Sequence, residues 1–122
     1  MFKKLFGGGS KEPVNAPDFS SIDSVEKAVT LMKQGQLEKL HLFPLEYGGE
    51  DISPNVTYVP VGVAQAKAEL DGTIAKMVEA GMVSQYNAAP EYKGQSFIPS
   101  RINIRAWHSG RAGEFTYTIE VW

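Results

Sequence analysis

The sequence predicts an α+β fold: a mainly antiparallel sheet of about five strands, two helices packed on one face of it, and the element order α-β-β-α-β-β-β. Three observations carry that prediction. Residues 24–34 and 63–80 repeat apolar side chains at helical spacing, and the runs are followed by Gly35 and Gly81. Residues 37–45, 56–61 and 83–88 are short stretches with a period near two. Residues 95–122 hold two alternating runs separated by Ser109 to Gly113, which read as a β-hairpin that the rest of the chain must cover.

Taken in order, residues 1–20 are expected to be a flexible N-terminal segment and residues 21–122 a single α+β domain. Met1 to Phe6 mix large apolar residues with two lysines, and Gly7 to Ser10 follow as a flexible tether by composition. Residues 11–21 contain Pro13 and Pro17 and read as an extended lead-in. Asp23 then has the position of a helix N-cap, with Glu26 completing a capping box, and Val25, Ala28, Val29 and Met32 form a narrow stripe. The strand at 37–45 sets Leu40 and Leu42 on one face against Lys39, His41 and Phe43 on the other. A loop at 46–55 is marked by its glycines, proline and acids, and Pro60 assigns the next strand to an edge or a strand end.

The helix at 63–80 is the strongest in the chain, with Val63, Ala66, Leu70, Ile74, Met77 and Val78 along one stripe and Gly81 as its C′ residue. Gly72 costs it roughly 1 kcal/mol relative to alanine, and close packing of the helix against the sheet is the expected reason for that glycine. Residues 89–94 read as a turn or loop before the terminal hairpin. In that hairpin Ile98, Ile102, Ile104 and Ala106 share one face, as do Phe115, Tyr117, Ile119 and Val121. Keeping both sets on one side requires paired residue numbers to sum to 221 or 223; with 221, Arg101 faces Glu120 and Arg105 faces Thr116.

Composition narrows the function classes. The 122 residues carry a formal charge of −2, distributed as +3 over residues 1–11, −6 over 12–83 and +1 over 84–122, which lacks the clustered basic footprint of a nucleic-acid binder. The chain has no cysteine, so disulfides, thiolate nucleophiles and sulfur-ligated zinc are excluded. No run approaches a membrane span and the N-terminus lacks the apolar core of a secretory signal, so the expected location is cytoplasmic.

Chemistry-bearing motifs are sparse. His41 and His108 are the two imidazoles, and neither belongs to a nucleophile-base or metal-ligand pattern. Glu46, Glu50 and Asp51 match no calcium-loop spacing, and the acid pairs Glu50 with Asp51 and Glu69 with Asp71 read as solvated carboxylates. No phosphate-binding glycine loop is present. No catalytic residue, metal or cofactor is therefore assigned.

The second face of the terminal hairpin stands out. Phe97, Arg101, Asn103, Arg105 and Trp107 alternate on one strand and Thr116, Thr118, Glu120 and Trp122 on the other, and Arg with Trp is a composition enriched in protein interfaces. The expected function is a small non-catalytic protein-binding or assembly domain, of the kind that inhibits or adapts, using Arg101, Arg105, Trp107 and Trp122 toward a protein partner or a second copy. One alternative is a small-molecule enzyme or ligand carrier, with a pocket between sheet and second helix lined by Tyr58, Tyr86, Arg101 or His108. A second alternative is a membrane-peripheral protein in which Phe2, Leu5 and Phe6 insert while Lys3 and Lys4 meet anionic lipid.

Overall fold

The computed structural model describes residues 17–122. The first helix, α1, spans Val25–Lys33, and its N-cap is Ser24 rather than Asp23. Ser24 has the extended backbone of a cap and its Oγ accepts from the Lys27 amide at 3.2 Å, whereas Asp23 is drawn away to the Lys27 ammonium at 2.7 Å. Strands β1 (Leu37–His41) and β2 (Val56–Pro60) pair antiparallel, with Leu37 opposite Pro60 and Leu40 opposite Thr57. The connection between them contains two short 3-10 turns, Leu45–Tyr47 and Ser53–Asn55. Asn55 closes it: its side chain donates to the carbonyls of Phe43 and Glu50, each at 2.9 Å, and accepts from the Phe43 amide at 2.7 Å.

Helix α2 covers Val63–Glu79 without interruption and ends at Ala80, followed by Gly81 at φ 73°, a left-handed conformation that only glycine adopts freely. Strands β3 (Gln85–Tyr92), β4 (Pro99–Trp107) and β5 (Glu114–Glu120) then form an antiparallel meander. Strand β3 runs through residues 89–92, where a loop is expected from sequence. Pro90 does not break it because β3 is an edge strand, where a missing amide donor is tolerated.

The fold is thus α+β in roughly the expected order, but the five strands divide into a two-stranded and a three-stranded sheet. The expected single five-stranded sheet is not formed, and the β1–β2 hairpin contributes apolar side chains from both of its faces. Leu40 and Val59 join one buried cluster, while Leu37 and Tyr58, on the opposite face, join another. The first cluster gathers Leu40, Val59, Ile74 of α2, Val83, and Ile102, Ile104, Ala106 and Ile119 from the meander. The second gathers Ala28 of α1, Leu37 and Ile98, with Phe19, Ile22, Tyr58 and Trp122 against them. The two helices therefore serve different clusters.

Pairing in the terminal hairpin follows one rule throughout: Arg101 meets Glu120, Ile102 meets Ile119, Ile104 meets Tyr117 and Arg105 meets Thr116, so every pair sums to 221. Ile102 and Ile104 are buried, and Arg101 and Arg105 lie exposed on the other face.

The glycines separate into those that need the missing side chain and those that do not. A Cβ on Gly72 would meet nothing within 4 Å, so the expected close helix-sheet approach does not occur there. At Gly49 a Cβ would overlap the Phe43 carbonyl and lie 2.9 Å from the Pro44 carbonyl oxygen, both of them backbone atoms fixed by the turn. Gly72→Ala is expected to stabilise the chain by up to about 1 kcal/mol, and Gly49→Ala to destabilise it by about 1–3 kcal/mol. Urea unfolding of the two variants reads both signs.

Candidate functional site

The outer face of the β3–β4–β5 sheet alternates with the buried one, so its residues are fixed by the same pleat that buries the isoleucines. Along β4 it presents Arg101, Asn103, Arg105 and Trp107; opposite them stand Glu91 and Gln85 on β3, and Glu114, Thr118 and Glu120 on β5. All are exposed or half-buried. Glu114 Oε1 accepts from Arg105 Nη2 at 2.7 Å and from its Nε at 2.9 Å, and the guanidinium carbon sits 4.3 Å from the centre of the Trp107 ring. Arg101 Nε lies 3.4 Å from Glu120 Oε1. Asn103 joins the two edges, donating to Glu91 at 2.6 Å and accepting from the Thr118 hydroxyl at 2.9 Å. Exposed ion pairs contribute about 0–1 kcal/mol to stability. Here Glu114 and the Trp107 ring are both neighbours of the Arg105 guanidinium, on the exposed face of the sheet.

Trp122 does not belong to that surface. Strand β5 ends at Glu120, and the amides of Val121 and Trp122 turn to the Ser100 carbonyl at 2.8 and 3.2 Å. The Trp122 indole N–H then donates to the Ile98 carbonyl at 3.0 Å, its ring meets Phe19 edge-on at 5.8 Å, and the Lys93 ammonium lies 4.6 Å over it. An indole that finds a carbonyl and an aromatic neighbour at the core margin has more to gain there than on an open sheet face. Phe97 likewise departs from the Arg/Trp surface, lining a groove with Val25, Thr57, Tyr58 and Tyr92.

A polar cluster that sequence reasoning missed lies inside the molecule. Lys67 and Asp71, one turn apart on α2, point into the protein; Lys67 is only 2% exposed. Lys67 Nζ donates to Asp71 Oδ2 at 2.6 Å and to the Tyr86 hydroxyl at 2.9 Å, and that hydroxyl donates to Asp71 Oδ1 at 2.7 Å. Tyr47 donates to the Asp71 backbone carbonyl, and Phe43, Tyr47 and Tyr86 meet edge-to-face with centroids 5.4 to 6.1 Å apart. The cluster joins α2, the 3-10 turn after β1, and β3. Burial lowers the Lys67 ammonium from its ordinary value, against the opposing pull of Asp71. Burial raises the Tyr86 phenol, reinforced by its hydrogen bond to Asp71. The sequence did hold a signal: Lys67 and Asp71 occupy helix positions between Val63, Leu70 and Ile74, so they share the inward face, while Ala66 and Val78 are exposed. Glu69 is exposed, and only its pairing with Asp71 as two solvated acids is overturned.

The cavity beside Lys67 and Asp71, also lined by Lys39, His41 and Glu46, measures about 220 Å³, below the roughly 300 Å³ lower bound of small-ligand pockets. Asp51 is held below the usual carboxylate range by the His41 ring nitrogen at 2.8 Å and by Lys39 at 3.3 Å. Among the described residues no three His, Asp or Glu side chains converge as a metal site. Tyr58, Tyr86 and His108 line three different cavities, and Arg101 lines none of these three. Phe2, Lys3, Lys4, Leu5 and Phe6, and the glycine tether, lie outside the described residues. No described helix is long and apolar enough to cross a membrane. No protein-family model, curated protein or solved structure matches this chain.

Lys67→Met leaves the Asp71 carboxylate buried without its cation and is expected to cost about 3–5 kcal/mol. Lys67→Met with Asp71→Leu, which removes both charges, is expected to recover most of that loss; denaturant midpoints of the three proteins check it. A phenol raised on folding keeps a proton that the unfolded chain releases, so the stability it supplies is complete below pH 10.0 and lost as pH rises beyond it. Between pH 8 and pH 11 the native chain should therefore lose more stability than Tyr86→Phe, measured by denaturation at both values.

Proposed function

We propose that this chain is a non-catalytic protein-binding or assembly domain, of the inhibitor or adaptor kind, that engages its partner through the outer face of the β3–β4–β5 sheet around Arg105 and Trp107. The observation that carries the reading is the stacked pair itself: a guanidinium 4.3 Å over an indole, fixed by Glu114 and half-exposed. Arg and Trp are the side chains that most often dominate interface energetics, and their cost of ordering is lowest when the geometry already exists before contact. Arg101, Asn103 and Glu120 surround the pair as a hydrogen-bonding rim. Trp122 is left out of the binding set because it packs against Phe19 and Ile98.

The partner is a protein, or a second copy of this chain meeting the same face; strands β3 and β5 are both sheet edges beside it. The reading includes a cytoplasmic setting, with which the cysteine-free composition is compatible, and requires no cofactor.

Arg105→Ala with Trp107→Ala is expected to weaken association with a partner, or self-association, by at least about thirtyfold, the equivalent of 2 kcal/mol at a binding hot spot. Sedimentation of the tagged chain alone and with recovered partners reads the loss, and circular dichroism verifies that the double variant folds. Association unchanged in a folded double variant would overturn the proposal.

A further inference from the structure

Beside Trp107 the surface folds into a cleft of about 390 Å³, formed where the end of α2 and the turn after it face the loop between β4 and β5. Its apolar lining is Met77, Val83, Trp107 and Phe115, with Met82 beside them. Met82 is 54% exposed, a large apolar side chain left at the mouth. Methionine adapts its shape to what it contacts, and two of them suit a cleft that takes an apolar side chain. The volume falls within the range of sites that take a compact apolar group.

The rim is not electrically neutral. Glu114, the one acid lining the cleft, is committed to Arg105 at 2.7 Å. Arg111 donates from Nη2 to the Gly81 carbonyl at 2.9 Å and forms no ion pair with any described carboxylate. That single bond pins the guanidinium over the cleft while leaving most of its five N–H donors to solvent. An apolar floor under an uncompensated, planar cation is complementary to an apolar side chain with a carboxylate next to it.

We infer that this cleft receives an apolar side chain from a protein partner, and that Arg111 pairs with an Asp or Glu side chain within a residue or two of it. The inference rests on the protein-binding reading above and deepens it. It names the partner's recognition element as an acidic-apolar segment, continuous at Trp107 with the Arg105 face.

Two blocked peptides serve as probes with the full chain, Ac-Gly-Leu-Glu-Leu-Gly-NH2 and the same peptide with Gln for Glu, followed by NMR of the methionine methyls and the tryptophan indoles. The Glu peptide is expected to shift Met77, Met82 and Trp107 signals and to bind at least about tenfold more tightly than the Gln peptide, a difference of 1.4 kcal/mol. Arg111→Gln is expected to remove that preference, and Arg111→Lys, which keeps the charge, to retain part of it. Equal binding of the two peptides, or an unchanged preference in Arg111→Gln, overturns the inference. A protein partner lost from the Arg105→Ala, Trp107→Ala variant but retained by Arg111→Gln would leave the interface standing and remove the cleft from it.

Discussion

The pairing of Ile102 with Ile119 and of Ile104 with Tyr117 is the constraint on which the rest of the molecule depends. Side chains on a strand alternate with period two, so a slip of one residue would exchange the two faces. It would carry Arg101 and Arg105 into the layer now shared by Leu40, Val59 and Ile74, where an unpartnered charge costs several kcal/mol. The same slip would put two isoleucines into water. The Arg/Trp surface is thus the reverse side of the core, positioned by burial before any partner is considered.

Much of this was legible because it rests on periodicity. Helix α2 shows its boundaries through helix-forming residues and the glycine after it, and the hairpin register follows from two apolar sets that must share a side. What was not legible depends on competition between neighbours. Ser24 and Asp23 are both competent caps, and the ammonium of Lys27 decides between them by occupying the aspartate. Residues 89–94 read as a turn or loop, and Pro90 fits a strand only because β3 lies at an edge. The division into two sheets goes with Leu37 and Leu40 of β1 joining different clusters, which a short strand with the two leucines three residues apart states only weakly. Trp122 alternates correctly for the outer face, yet a free carbonyl at Ile98 and the ring of Phe19 outbid the alternation.

Lys67 and Asp71 illustrate a different relation between sequence and energy. Replacing a buried ion pair with apolar residues is often neutral or favourable for stability, so such a pair is weak evidence that stability is its role. An apolar stripe tolerates small rotations of a helix about its axis, because hydrophobic contact is not directional. The ammonium, carboxylate and phenol satisfy one another through directional bonds, and Tyr47 adds a bond to the backbone of the same turn. The cluster fixes the angle at which α2 lies against the turn after β1 and against β3. Through α2 it also sets where Met77 stands.

Ile98, at the bend just before β4, sits in the cluster beneath α1, and Ile102 and Ile104, a few residues further along the chain, sit in the cluster beneath α2. Four residues of extended chain span only about 13 Å. The two apolar bodies are thereby threaded on one stiff rod, and a breath in either one tugs the other.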